Sequence, residues 1–294
     1  PILLAAVLAA TALAGCSEGA LEPVTVRQRP GPIVYDGPWP DLETRPPIRP
    51  GAQVVAMGSQ CTANFLFRSP DNATLYLGIA AHCFGSADEP FEVGTPVTVG
   101  GIANAGTVAY MGWAFDPSGG NDFGLIELSS TPIVRSRVHP AMLGWGGPVG
   151  LADQAQMTPG TQVVAYGHSS QRANTDPENV REGHIYRVNA DGSADVMSDY
   201  PGIQGDSGSG LMTAAGQAIG VLSTKLADPS GGALGEERDQ VTLNNYVSLK
   251  AGLERMGQAV PELAGLELVT WKLLDRPDGP LSPPGPLPDL PVLG

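Results

Sequence analysis

The sequence predicts an all-β fold, a sandwich or barrel of many short strands with one helix near its C-terminal end. Three observations predict it. The 39 glycines and 28 prolines make up about 23% of the 294 residues, against roughly 12% in average usage, and both residues are costly inside helices. Short apolar, β-branched runs bounded by turn residues recur through the middle of the chain. One late stretch, Tyr246–Met256, repeats apolar residues at helical spacing, with Tyr246, Leu249, Leu253 and Met256 on one face. Glycine follows no strict Gly-X-Y period, which excludes a collagen helix.

In chain order, the first feature is the apolar run Ile2 to Gly15, ended by Cys16. It is too short to span a bilayer and has the proportions of the apolar core of a signal peptide. Leu13-Ala14-Gly15-Cys16 resembles a bacterial lipobox, so residues 1–16 are expected to be a signal peptide, with Cys16 the lipidated residue. The cationic stretch that precedes such a run is not in the sequence, and a longer precursor is expected. Residues 17–50 carry 8 prolines in 34 positions and read as an extended, semi-rigid linker. Residues 276–294 carry 7 in 19 and read as a Pro-rich tail. The folded domain is placed at 51–275, where proline is ordinary and glycine abundant. Its expected strands are 53–57, 64–68, 75–80, 96–99, 106–111, 123–128, 161–165, 184–188, 195–198, 208–212 and 218–223, with a last one at 266–271. They are short β-type runs of four to six residues, separated by stretches that hold turn residues.

Composition removes several functions. A 42% hydrophobic, 16% charged chain is neither a solvated disordered segment nor a charged coiled coil. The net charge of −14 and the lack of a Lys/Arg cluster exclude a duplex nucleic-acid partner. His139, His168 and His184 stand apart from any second cysteine pair and form no His-Glu-x-x-His, so no metal site is expected. No phosphate-cradling glycine loop leads into a helix, and no cofactor is expected. Of three cysteines, Cys16 belongs to the lipobox. Export to an oxidising compartment permits a disulfide between Cys61 and Cys83, and closing that loop is worth about 3 kcal/mol in the chain-entropy account.

The chemistry-bearing residues sit in three short motifs. Gly205-Asp206-Ser207-Gly208-Ser209-Gly210 holds a serine two positions after a glycine. A serine hydroxyl needs a base to become a nucleophile, and acyl transfer needs donors for its oxyanion. Glycine at 205 frees a backbone N–H to turn toward that oxyanion, with the N–H of Ser207 as its companion. The candidate base is His82, in Ile79-Ala80-Ala81-His82-Cys83. The candidate orienting carboxylate is Asp122, which opens the apolar run Phe123–Leu128, with Asp116 as the alternative.

Taken together, His82, Asp122 and Ser207 in that order, with Ala-Ala-His-Cys, Gly-Asp-Ser-Gly and the upstream Cys61, resemble the chymotrypsin-fold serine peptidases. The compact, secreted, trypsin-like bacterial forms are the nearest likeness, over about residues 51–256. The resemblance implies two six-stranded antiparallel β-barrels closed by a C-terminal helix, with the site in the cleft between them. It implies that Ser223 supports Asp122, that Cys61 and Cys83 bridge beside His82, and that Gly205 and Ser207 N–H groups form the oxyanion hole. It places pocket walls at Pro201, Gly202, Ile203 and Gln204 and at Ser223, Thr224 and Lys225. The pocket-base position is Pro201 rather than Asp, with Asp199 two residues away, so a preference for Arg or Lys is not supported. No Ile-Val-Gly-Gly start precedes the domain, which leaves Asp206 without an N-terminal amine; Arg181 or Arg187 is the candidate replacement. The expected activity is a monomeric serine endopeptidase acting on peptide or protein substrates, exported and held to the membrane only through a lipid. A non-catalytic binding module on the same fold, and an esterase with the same three residues, are the competing readings.

Overall fold

The computed structural model describes residues 39–86, 89–115, 121–153, 156–171, 180–198, 200–226 and 243–275. The expected signal peptide with Cys16, most of the linker, the tail 276–294, and Asp116 and Asp199 lie outside the described residues.

Seven strands build the first barrel: β1 (Gln53–Ala56), β2 (Ser59–Thr62), β3 (Leu66–Arg68), β4 (Leu75–Ile79), β5 (Pro96–Val99), β6 (Ile102–Met111) and β7 (Gly124–Leu128). They pair in the order β2-β1-β5-β6-β7-β4-β3, every pair antiparallel. β2 and β3 are two halves of one bent run. Ala63 still donates its N–H to Ala52 (2.8 Å), while the next residue, Asn64, donates to Gly78 on β4 (2.8 Å). The sheet therefore closes on itself with six strands once the bent run is counted as one. Its interior is filled by Phe65, Phe67, Leu77, Val108 and Ile126, each at most 1% exposed.

After the short β8 (Gly150–Leu151), the second barrel comprises β9 (Gln162–Tyr166), β10 (Val180–Val188), β11 (Ala194–Ser198), β12 (Gly210–Thr213), β13 (Gln217–Leu226) and β14 (Leu243–Ser248). The order β12-β9-β10-β11-β14-β13 is closed by direct pairing of β12 with β13, and β8 joins β13 in parallel. Val163, Ala165, Ile185, Val196, Leu211 and Ile219 form its core.

The C-terminal helix, α1, runs Leu249–Ala259 rather than Tyr246–Met256. Tyr246 fits the helical spacing but belongs to β14, where it pairs with Ala194 and Leu222. Ser248 ends the strand and caps the helix by accepting the Ala251 N–H (3.2 Å), which satisfies one of the orphan donors of a helix start. Gly252 faces Phe123 so closely that a Cβ there would lie 3.0 Å from its side chain. β15 (Glu267–Leu268) is shorter than the expected 266–271 and extends the first sheet beside β3. The folded unit also takes in the end of the stretch expected to be linker, since Ile48 is fully buried and bridges to Val138. Among the described residues, no helix is long and apolar enough to cross a membrane.

The barrels meet at backbone carbonyls of the Ser207 loop, which accept from the first barrel. Thr62 donates its N–H to Ser207 (2.8 Å), and the Asn64 side-chain amide donates to Gly208 (3.2 Å). Gly208 has φ +87°, and a Cβ would sit 2.6 Å from the Thr62 carbonyl and 2.8 Å from the Ala80 nitrogen. Only glycine permits that approach.

Candidate active site

β4 is buried along its whole length, and the chain leaves it into a 3-10 turn, Ala81–Phe84, that carries His82 to the surface of the cleft. The Cys61–Cys83 disulfide is formed, with Cα atoms 6.1 Å apart, and ties this turn to β2. Asp122, at the entry to β7, is 8% exposed. Its Oδ2 lies 2.7 Å from His82 Nδ1, and its Oδ1 accepts the His82 backbone N–H at 2.9 Å. Ser223 donates its hydroxyl to the same Oδ2 at 2.6 Å. Two donors besides the imidazole thus fix the carboxylate. Ser223 owes its aim to a bulge: Leu222 pairs with Tyr246 and Thr224 with Asn245, which leaves Ser223 as the extra residue. Burial alone would lower the His82 pKa, but the hydrogen bond and the negative charge of Asp122 outweigh it and raise the value above 6.5.

The loop of the second barrel brings Ser207 to the same place. Its carbonyl accepts the Thr62 N–H and lies 3.9 Å from Cys83 Sγ, a packing contact because a disulfide sulfur carries no hydrogen. Gly205 has φ +96°, a left-handed conformation that favours glycine. The N–H groups of Gly205 and Ser207 donate to no acceptor among the described residues, whereas the N–H of Asp206 between them is spent on Ile203 (2.9 Å). Two unspent donors, one of them the serine's own N–H, can receive an oxyanion.

Asp206 is fully buried. Its Oδ2 accepts Arg181 Nη1 at 2.7 Å and the Ile203 N–H at 3.0 Å, while Arg181 Nη2 reaches Ser209 Oγ at 2.8 Å. Of the two cations expected as replacements for an N-terminal amine, the structure selects Arg181. Arg187 instead pairs with Asp195 through Nε (2.9 Å) and Nη2 (2.5 Å).

The expected pocket residues assemble in part. Gly202 lies against β13 and β14: its N–H donates to Asn244 Oδ1 (2.7 Å), and a Cβ would stand 2.9 Å from Leu222. Pro201 is half-buried beside it, and the backbones of Thr224 and Lys225 run along β13 opposite Asn245 and Asn244. Gln204 is exposed and turned toward the loop after β9, where its Oε1 accepts Gln171 Nε2 at 3.3 Å. Three residues near the site were not anticipated: buried Asn244, Thr62 and Ser169. Each is a common polar residue outside any motif. Among the described residues the one grouping of metal-type donors is Cys61, His82 and Cys83, whose sulfurs are already bonded to each other.

No curated protein matches the chain. Among solved structures, a glutamic-acid-specific serine protease matches with TM-score 0.50 and 16% identity over 76% of this chain and 100% of its own. Thermobifida fusca Protease A matches with TM-score 0.46 and 22% identity over 76% of this chain and 98% of its own. At 16% identity the first of these likenesses speaks for the fold alone. The sequence itself carries the trypsin-like peptidase domain over residues 69–221, more than half of the chain and inclusive of His82, Asp122 and Ser207. With two closed barrels and that domain in one chain, this protein belongs to the trypsin-like peptidase family.

Proposed function

We propose that the chain is a serine endopeptidase that cleaves peptide bonds through an acyl-enzyme. The observation that carries this reading is the Asp122 carboxylate, clamped by Ser223 and the His82 N–H so that it faces His82 Nδ1 at 2.7 Å. That contact assigns the imidazole proton to Nδ1 and leaves Nε2 as the base. Ser207 Oγ attacks the scissile carbonyl as His82 Nε2 takes its proton. Asp122 stabilises the imidazolium that results, and the N–H groups of Gly205 and Ser207 receive the oxyanion. His82 then protonates the leaving amine, which departs. Water attacks the acyl-serine by the same route and restores the enzyme. A peptide or protein is the substrate that the cleft between the barrels suits.

A fluorophosphonate probe should label the purified chain on Ser207, and Ser207→Ala should abolish both labelling and cleavage of a peptide library. Equal labelling of the two proteins, or cleavage that survives the substitution, would overturn the assignment.

A further inference from the structure

The two carbonyls that precede the nucleophile by three and two residues are each held by a buried hydroxyl. Ser169 Oγ, in a fully buried residue, lies 2.5 Å from the Gln204 carbonyl oxygen and accepts the Gln171 N–H at 3.1 Å. Thr62 Oγ1, likewise fully buried, lies 2.8 Å from the Gly205 carbonyl oxygen and accepts the His168 N–H at 3.0 Å. A hydroxyl has one proton. Because an N–H can only donate, each hydroxyl uses a lone pair on its N–H and must send its proton to its carbonyl. The direction of both bonds is therefore fixed.

Geometry then determines what the bonds do. The Gln204 carbonyl and the Gly205 N–H belong to one planar peptide and point to opposite sides of it. Pinning the carbonyl on Ser169 turns the Gly205 N–H the other way, where it has no acceptor among the described residues. Gly205, at φ +96°, lacks the side chain that would otherwise restrict rotation of this peptide, so an external hold is needed. Thr62 holds the carbonyl end of the next peptide plane, whose N–H end goes to Ile203 (2.9 Å), and it does so from the first barrel: its side chain holds Gly205, and its own N–H holds the Ser207 carbonyl. Both N–H groups that orient the hydroxyls come from residues 168–171, the segment that follows β9.

We infer that Ser169 and Thr62 are positioning residues that hold the 204–205 and 205–206 peptides so that the Gly205 N–H faces the developing oxyanion. The inference rests on the peptidase reading for its effect on rate, but the orientation of the peptide can be tested without it. An oxyanion donor acts mainly in the transition state, so loosening it lowers kcat and leaves KM nearly alone. Loss of a whole donor costs about 10²–10³ in kcat. Ser169→Ala and Thr62→Val should each lower kcat about tenfold or more, with KM within about twofold and the pH midpoint of His82 unmoved. Thr62→Ser keeps the hydroxyl and should stay within about threefold of the parent. Where Ser169→Ala does not fold, the Thr62 pair decides. Unchanged kcat in Ser169→Ala and Thr62→Val, a loss carried by KM or by a shifted midpoint, or a Thr62→Ser as slow as Thr62→Val would each overturn the inference. A parent that neither hydrolyses peptides nor takes up fluorophosphonate would overturn the peptidase reading instead. The crystal structure of Ser169→Ala, or of Thr62→Val, then decides the clamp: a rotated 204–205 or 205–206 peptide supports it, and unrotated ones refute it.

Discussion

The titration of His82 is the most direct residue-scale consequence of the site. Burial opposes its protonation, yet the Asp122 bond and charge prevail and raise the pKa above 6.5. A base works only when neutral, so the rate should rise with pH through a midpoint above the ordinary imidazole value. Asp122→Asn removes the charge and frees Nδ1 from its acceptor. The midpoint should then fall below that of the parent, and kcat should drop roughly 10⁴-fold because the wrong tautomer is favoured; a pH–rate profile of both proteins checks it. His82, Asp122 and Ser207 could be nominated from the sequence because each lies in a short local motif, and the structure pairs the first two. Ser223 and the Cys61–Cys83 pairing were legible through the family pattern. Arg181 was one of two candidates, since only the register of β10 decides which arginine points inward to Asp206. Thr62 and Ser169 were not legible, because their hydroxyls gain a role from loops brought together across 143 and 35 residues of sequence.

At the scale of elements, strands with strong apolar runs were read near their true bounds, such as β4 and β7. β14 was missed. Leu243-Asn244-Asn245-Tyr246-Val247-Ser248 carries two asparagines, which disfavour strands, yet pairing on both sides with β11 and β13 overrides that preference. β2 was missed because Ser59-Gln60-Cys61-Thr62 is mostly polar, and its place is set by β1 and the disulfide. That disulfide joins β2 to the turn bearing His82. Replacing both cysteines by alanine should cost about 3 kcal/mol, chiefly by freeing the unfolded chain. Urea denaturation of the double variant against the parent measures it, and the midpoint should fall while the slope rises, because the freed unfolded chain exposes more surface.

For the molecule as a whole, acid should act through a group that takes no part in the proposed chemistry. His139 is buried, its ring meets Trp271 edge-on at 4.9 Å, and its Nδ1 accepts the Ala141 N–H at 2.9 Å. Burial, then the nearby Arg49 charge, lower its pKa to about 4 against the opposing pull of Asp41. The folded state thus keeps it neutral where the unfolded chain protonates it. The resulting stability is complete above about pH 6.5 and is lost as pH falls toward 4, amounting to about 3 kcal/mol. Urea midpoints measured between pH 7 and 4 should decline along that window, and His139→Gln should flatten the decline. The ion pair of Arg181 with Asp206 bears on a different question, that of timing. The cation beneath the nucleophile's loop stands on β10, a strand of the second barrel, so the pair forms as that barrel is assembled. The hold on Asp206 is thereby tied to the docking of one strand, β10, so a change that loosens β10 from β9 and β11 reaches the nucleophile's loop through a single guanidinium.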